Sequence, residues 1–296
     1  MIQTLRAGTV LGAFAIFTLA LIPVQWTLLK LGSRRSRGFP RWYHRQVCKL
    51  FNLKVHTRGH VADERGVLIV SNHVSWLDIP ALSAIAPLSF VAKKEVEDWP
   101  FVGLLAGLQR SVFVDRERKS SAHGTSNEIM DRLARGDHVV LFAEGTSSDG
   151  NRVLPFKSSL LGAAKPGKRQ AEAPPLYVQT FAVAYTQLHG LPIGRALRPR
   201  VAWYGDMELL SHAWQVLKGG PIDAHVIIGE PVLLDRFADR KELTRHVESQ
   251  IRHDFLHVLR RGNLRNFEAQ LPQSIASKST LRDSDGLKLD SNRTAD

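Results

Sequence analysis

The residues best suited to chemistry in this sequence are a histidine and an aspartate with four residues between them. They are His73 and Asp78 of residues 72–78 (NHVSWLD). An aspartate that accepts a hydrogen bond from one ring nitrogen of a histidine fixes its tautomer, so the other nitrogen is free to take a proton. Such a pair suits general-base catalysis on a substrate hydroxyl. A polar loop with an aspartate that caps a helix would show the same spacing.

The neighbouring elements are expected to place this pair at one edge of a sheet. Residues 67–70 (VLIV) form a short apolar, mostly β-branched run that predicts a buried strand, and the polar segment follows it directly. Open α/β sheets hold their active sites beyond the carboxyl ends of strands. We predict a helix that begins near Ser75 or Trp76, because Pro80 is tolerated only in a first turn.

Strand and helix patterns alternate through the rest of the domain. Other predicted strands cover residues 54–59 (an edge strand), 88–92, 111–114, 139–143, 178–185 and 226–229. Helical spacing of apolar residues occurs at residues 42–53, 126–135 and 243–259. The alternation predicts an α/β fold with a mixed, largely buried β-sheet flanked by helices.

The N-terminal segment is long and apolar. No formally charged residue occurs from Ala7 to Leu29, and the segment is followed by Lys30 and an arginine-rich stretch. About 20 apolar residues cross a bilayer core, which predicts an N-terminal membrane-anchoring helix. The heavier positive flank lies after it, so we expect the domain on the cytoplasmic face of the inner (plasma) membrane. Pro23 and Gln25 leave a kinked or half-inserted anchor open, and a buried helix of a soluble domain is the alternative.

Composition limits the partners. The chain has 40 Lys and Arg against 28 Asp and Glu, a net charge of +12, which favours anionic partners such as lipid headgroups, nucleic acid or acidic small molecules. Its single cysteine, Cys48, excludes an intrachain disulfide and a cysteine-based zinc site. The basic and aromatic residues form no nucleic-acid-binding signature, and His246, His253 and His257 lack an accompanying metal-binding motif. We expect neither nucleic acid nor a metal as a partner.

The sequence divides into three parts. Residues 1–38 are interpreted as the membrane anchor with a basic linker, and residues 39–268 as the folded domain. Residues 269–296 are polar and lack aromatic residues, which predicts a disordered tail.

The segment that contains His73 resembles the first motif of the glycerolipid acyltransferases, the family of 1-acylglycerol-3-phosphate O-acyltransferases. Asn72, His73 and Asp78 match that motif. Two further blocks follow in the family's order: residues 113–116 (FVDR), with Phe113 and Arg116, and residues 144–146 (EGT). The resemblance covers residues 65–190. It implies that the chain transfers a fatty acyl group from a thioester to the hydroxyl of a lysolipid.

The resemblance also implies roles for these residues. His73 would deprotonate the acceptor hydroxyl, Asp78 would orient the imidazole, and Arg116 would bind an anionic headgroup. The acceptor side would include Glu144, Gly145 and Thr146, although Glu144 could instead cap a turn. Backbone N–H groups near a helix start or at Gly145 would stabilise the oxyanion. No cofactor is expected beyond the acyl donor, which would be an acyl carrier protein or coenzyme A thioester.

One departure from the family pattern concerns the acceptor. The family usually has an arginine directly after Glu-Gly-Thr, where this chain has Ser147. Residues 144–160 look more like the lyso-ornithine lipid O-acyltransferase branch, whose acceptor has no phosphate. Arg152 or Lys157 could supply the lost charge, so both 1-acyl-sn-glycerol-3-phosphate and lyso-ornithine lipid stay open as acceptors. A non-catalytic peripheral protein that binds anionic lipid is the alternative function.

Overall fold

The computed structural model describes residues 1–63, 66–115, 121–162 and 175–261. Arg116, the predicted end of the domain at residue 268 and the predicted tail at residues 269–296 lie outside the described residues. For residues 121–126 and for Arg261 only the backbone is described.

The strands of the described residues form one sheet. In chain order they are β1 (Leu53–Arg58), β2 (Val67–Ser71), β3 (Leu88–Lys93), β4 (Val112–Val114), β5 (His138–Phe142), β6 (Tyr177–Leu188), β7 (Leu191–Pro192), β8 (Ile222–Ile228) and β9 (Val232–Leu233). The spatial order is β1-β8-β6-β2-β5-β3-β4, and β7 and β9 pair with β6. Neighbours from β6 to β4 are parallel, whereas β8 runs antiparallel to β6. The predicted mixed sheet is therefore confirmed.

Helices cover the sheet. Those of the described residues are α1 (Ile2–Lys30), α2 (Arg35–Phe51), α3 (Asp78–Ile85), α4 (Val102–Leu108), α5 (Ser121–Ala134), α6 (Ser158–Leu161), α7 (Leu209–Gly219) and α8 (Arg240–Arg261). Helix α2 packs on α3, and α8 packs on β6. All five residues of β2 are buried, as expected for a strand at the centre of a covered sheet.

Some element boundaries differ from the predictions. Helix α3 begins at Asp78, because a turn comes first in which the Asp78 N–H donates to the Ser75 carbonyl over 2.9 Å. Pro80 still falls in the first turn of α3, as predicted. Helix α2 begins at Arg35, so the predicted boundary between the anchor with its linker and the folded domain, after residue 38, lies inside this helix. The first turn of α2 has no apolar periodicity that would mark it as helical. Helix α7 was not predicted.

Helix α1 lies against the domain along much of its length. It is the described helix whose length and apolar composition suffice to cross a membrane. Near its start the Arg6 guanidinium donates to the Leu217 carbonyl of α7 over 2.8 Å. Near its end the Gln25 amide donates to the carbonyls of Ser36 and Leu108, over 3.0 and 2.9 Å. Gln25 is buried between α1 and the domain. The large apolar side chains that α1 exposes are Ile2, Leu5, Leu11, Ile16, Leu19, Val24 and Trp26.

Candidate active site

The sheet and α3 bring His73 and Asp78 together. His73 lies two residues past the end of β2, and Asp78 is the first residue of α3. The His73 Nδ1 lies 2.7 Å from Asp78 Oδ2. A carboxylate only accepts hydrogen bonds, so the proton of the pair belongs on Nδ1 and the Nε2 lone pair is available to a substrate. The histidine side chain is 19% exposed, while Asp78 is fully buried.

Asp78 is saturated with hydrogen bonds. Besides the His73 ring, Oδ2 accepts the backbone N–H groups of Val74, over 2.7 Å, and Ser75, over 3.1 Å. The hydroxyl of Tyr185, on β6, donates to Oδ1 over 2.7 Å. Four donors match the approximately four acceptor sites of an ionised carboxylate. The pair is thus held by its own loop and by a neighbouring strand.

The His73 ring is also fixed by an aromatic contact. It stacks on Phe142, the last residue of β5, with centroids 4.1 Å apart and planes 18° apart. Phe142 in turn stacks on Phe90 of β3 at 6.0 Å. Phe142 comes from β5, which is adjacent to β2, and Phe90 comes from β3 on the far side of β5, so the sheet sets the plane of the imidazole.

Glu144 supports the main chain of the site. Its Oε2 accepts the backbone N–H of His73 over 3.0 Å, and its Oε1 accepts that of Leu154 over 2.8 Å. The residue is 1% exposed, and burial raises the pKa of its carboxyl to about 8, against the lowering effect of these two hydrogen bonds. Both oxygens face protein N–H groups, which favours the turn-capping interpretation over binding of the acceptor.

The two residues after Glu144 form the start of a loop. Gly145 adopts φ 73°, a left-handed conformation that costs other residues about 1–2 kcal/mol. Its N–H donates to the Phe142 carbonyl over 3.1 Å, so a backbone turn already uses the donor that was expected at the oxyanion. Thr146 follows and is exposed.

The loop then packs beside the His73 segment. The Ser147 hydroxyl donates to the carbonyl of Trp203, and the Trp203 N–H donates to the Val74 carbonyl over 2.9 Å. The Ser148 N–H donates to the His73 carbonyl, also over 2.9 Å. The residue that departs from the family pattern is therefore tied to the backbone of the site.

Asn72 links the site to β6. Its side-chain amide donates to the Val183 carbonyl over 2.9 Å and accepts the Val183 N–H over 2.8 Å. This pair of bonds continues the β2–β6 ladder by one position past the end of β2. The fully buried Asn72 thereby fixes β6 against the His73 segment.

The second predicted block lies apart from these contacts. Phe113 is a partly buried residue of β4, at one end of the spatial order of strands. The acceptor-binding role of Arg116 stays a prediction, since that residue lies outside the described residues. Among the residues that are described, no three His, Cys, Asp or Glu side chains form a group that could hold a metal ion.

Sequence reasoning missed the contributions of Tyr185, Phe142 and Trp203. Tyr185 lies inside a predicted strand, and Phe142 lies two residues before Glu144 of the Glu-Gly-Thr block. A parallel pairing of the predicted strands would have placed both near His73, but strand order cannot be read from one sequence. Trp203 carried no signal, because its part is made by backbone atoms.

Comparisons with known proteins identify the family of this chain. A family model described as Acyltransferase matches residues 52–182. The chain is 47% identical over 252 residues to the lyso-ornithine lipid O-acyltransferase of Brucella abortus, which covers 85% of this chain and 94% of the relative. It is 40% identical over 99 residues to the 1-acyl-sn-glycerol-3-phosphate acyltransferase of Neisseria gonorrhoeae, which covers 33% of this chain and 39% of the relative.

A solved structure shares the fold. The 1-acyl-sn-glycerophosphate acyltransferase of Thermotoga maritima matches with a TM-score of 0.58 and 21% identity, over 86% of this chain and 97% of that one. The protein is an acyltransferase, as the resemblance implied. It belongs to the glycerolipid acyltransferase family.

Proposed function

We propose that this acyltransferase moves a fatty acyl group from a thioester to the hydroxyl of lyso-ornithine lipid. The observation that carries the chemistry is the His73–Asp78 pair, with Nδ1 bonded to the carboxylate over 2.7 Å and Nε2 left for the acceptor. Ser75, the serine of residues 72–78, bonds to the pair through its backbone N–H, and its hydroxyl has no hydrogen-bond partner among the described residues. The attacking oxygen is therefore assigned to the substrate. Family membership makes a non-catalytic lipid-binding role the weaker alternative.

The reaction transfers one proton from the acceptor hydroxyl to His73 and then from His73 to the leaving thiolate. His73 Nε2 takes the proton of the acceptor hydroxyl while its oxygen attacks the thioester carbonyl carbon. The imidazolium that forms is stabilised by the Asp78 carboxylate. The tetrahedral oxyanion then collapses, the C–S bond breaks, and the departing thiolate takes the proton from His73. The products are the two-chain lipid and a free thiol.

Two observations support lyso-ornithine lipid as the acceptor. Similarity to the lyso-ornithine lipid enzyme extends over most of both chains, whereas similarity to the glycerophosphate enzyme covers about a third of this one. Ser147 stands where the family usually has an arginine, and its hydroxyl bonds to the Trp203 carbonyl. An acceptor without a phosphomonoester does not need the missing guanidinium.

The acyl donor is proposed to be an acyl carrier protein or coenzyme A thioester, with no further cofactor. Both donors are acidic, and the chain has a net charge of +12. The reaction chemistry is the same for the two carriers, because each presents a thioester carbonyl.

We place the protein on the cytoplasmic face of the inner membrane, with α1 embedded along the surface of one leaflet. Contacts near both ends of α1, at Arg6 and Gln25, hold it against the domain, so it is not a free-standing span. Its outward apolar side chains suit hydrocarbon, and the arginines at residues 34 and 35 suit anionic headgroups.

An assay on membrane fractions tests the function and the membrane placement together. Membranes from cells that express the chain, washed in high salt, receive a labelled acyl donor and either lyso-ornithine lipid or lysophosphatidic acid. We expect labelled two-chain ornithine lipid, formed faster than phosphatidic acid, with the protein retained in the washed membranes because apolar contacts hold it. Membranes from cells without the chain are the control.

Each part of the proposal has its own contrary result. Product from lysophosphatidic acid alone would overturn the choice of acceptor. No product from either acceptor would overturn lysolipid acyl transfer. Release of the protein by salt would show that its basic surface, rather than α1, makes the membrane contact.

A further inference from the structure

A buried phenol reaches the carboxylate of the catalytic pair from behind. Tyr185 belongs to β6, which runs beyond the end of β2: Ser71, the last residue of β2, pairs with Phe181. Tyr185 is 3% exposed and Asp78 is 0% exposed, so water does not compete for the contact between them. The Tyr185 hydroxyl lies 2.7 Å from Asp78 Oδ1.

Among the described residues, Tyr185 is the hydrogen-bond donor to Oδ1, whereas Oδ2 accepts the other three hydrogen bonds. A carboxylate held at a single oxygen has one anchored point, so its plane can tilt about that oxygen. A carboxylate held at both oxygens keeps Oδ2 directed at the His73 ring. The Tyr185 hydroxyl therefore fixes the orientation of Asp78 as well as satisfying its second oxygen.

The chain fixes the position of Tyr185 relative to Asp78. The Asn72 side chain bonds to both backbone groups of Val183, which locks β6 to the start of the catalytic segment. Tyr185 lies two residues further and so points to the same face of the sheet as Val183. The pairing of β6 with β8 becomes irregular directly after Tyr185, between Tyr185 and Gln187.

Tyr185 is suited to donate at any pH at which the enzyme works. Burial, and then the charge of Asp78, raise the pKa of its hydroxyl well above the ordinary value. The phenol is thus neutral, with one O–H to give, and Asp78 accepts it.

We propose that Tyr185 is a positioning residue for acyl transfer: it holds the Asp78 carboxylate turned toward His73. The inference rests on the proposed function of the His73–Asp78 pair and extends that pair to a third, buried member. Tyr185 does not touch the substrate. It acts on the rate of the chemical step through Asp78, with no effect on binding of the acceptor.

The test is Tyr185→Phe, which removes the hydroxyl and keeps the ring. We expect kcat to fall roughly 10- to 100-fold, the usual weight of a hydrogen bond to a charged group, with the KM for the lysolipid unchanged. The acidic limb of the pH profile of kcat/KM should move to higher pH, since a carboxylate that has lost a donor takes up a proton more readily. Tyr177→Phe, at the first residue of the same strand, is the matched control and should behave as wild type.

The pH profile separates positioning from folding. Partial misfolding lowers the amount of active enzyme but does not move the limb, so a shifted limb supports the proposal even in a destabilised variant. A Tyr185→Phe enzyme with an unmoved limb would overturn it, whether or not its kcat falls. Loss of the wild-type activity itself would instead count against the proposed function, so the two failures are distinguishable.

Discussion

Two buried carboxylates lie beside the His73 segment, and they bond to different parts of His73. Asp78 accepts the ring N–H of His73, while Glu144 accepts its backbone N–H. Asp78 has four donors on its two oxygens, and Glu144 has two. The first carboxylate contacts the imidazole that is the proposed base, and the second bonds to the backbone that carries this imidazole.

The difference follows from where each carboxylate lies in the fold. Asp78 is the first residue of α3, and the turn that precedes this helix directs the backbone N–H groups of Val74 and Ser75 at its carboxylate. Glu144 follows β5 in a buried turn, where burial raises the pKa of its carboxyl to about 8. Burial alone therefore does not distinguish the two carboxylates, whereas their sets of hydrogen-bond donors do.

The largest difference between the two carboxylates is expected in the activity of Asp78→Asn. An amide keeps the shape but can turn its NH₂ toward the ring, which favours the wrong histidine tautomer and leaves the imidazolium without a counter-charge. We expect kcat to fall roughly 10³- to 10⁴-fold with a folded protein, by analogy with the aspartate of a serine-protease triad. Steady-state assays with circular dichroism as the folding check measure this, and a loss of less than about tenfold would contradict the role of Asp78.

A smaller effect is expected from Glu144→Gln, and it concerns stability. The pKa of Glu144 rises from the ordinary 4.5 to about 8 in the folded protein, so between those values the folded state binds a proton that the unfolded state has lost. This residue's contribution to stability therefore falls as pH rises from about 5 to 8. Glutamine does not titrate, so this slope should be missing in the variant.

Thermal unfolding at a series of pH values between about 5 and 8 measures that slope. Relative to the variant, the wild type should lose stability as pH rises. Parallel curves for the two proteins would show that Glu144 is charged across the whole range. A loss of activity in Glu144→Gln as large as that in Asp78→Asn would remove the distinction between the two carboxylates.

The sequence predicted the parts of the site that depend on local pattern. Residues 67–70 and 139–143 read as buried strands because they are short, continuous apolar runs, and both predictions are confirmed as β2 and β5. The spacing of His73 and Asp78 allowed the two side chains to meet, because strand, turn and helix follow each other within a few residues, and it left a helix-capping aspartate open as the alternative. The predicted edge strand is confirmed as β1.

The remaining parts depend on contacts between distant residues. Tyr185 and Asp78 are 107 positions apart, and only the order of strands brings them together. The predicted strand at residues 226–229 lacks the first four residues of β8. Two of these, Asp223 and His225, are polar although they are buried, so they do not look like strand residues in the sequence. Asp223 bonds to His56 and His225 to Thr186, so these side chains are satisfied by neighbours that a local pattern does not reveal.

The most direct test of the account is acyl transfer by His73→Ala beside His60→Ala, an exposed histidine whose side chain lies outside the site. With purified, folded proteins, a labelled acyl thioester and saturating lyso-ornithine lipid, we expect the His73 variant to lose at least roughly 10³-fold in rate, since it lacks the base. The His60 variant should match the wild type. A folded His73→Ala protein that transfers acyl groups at the wild-type rate would contradict the central claim that His73 is the general base.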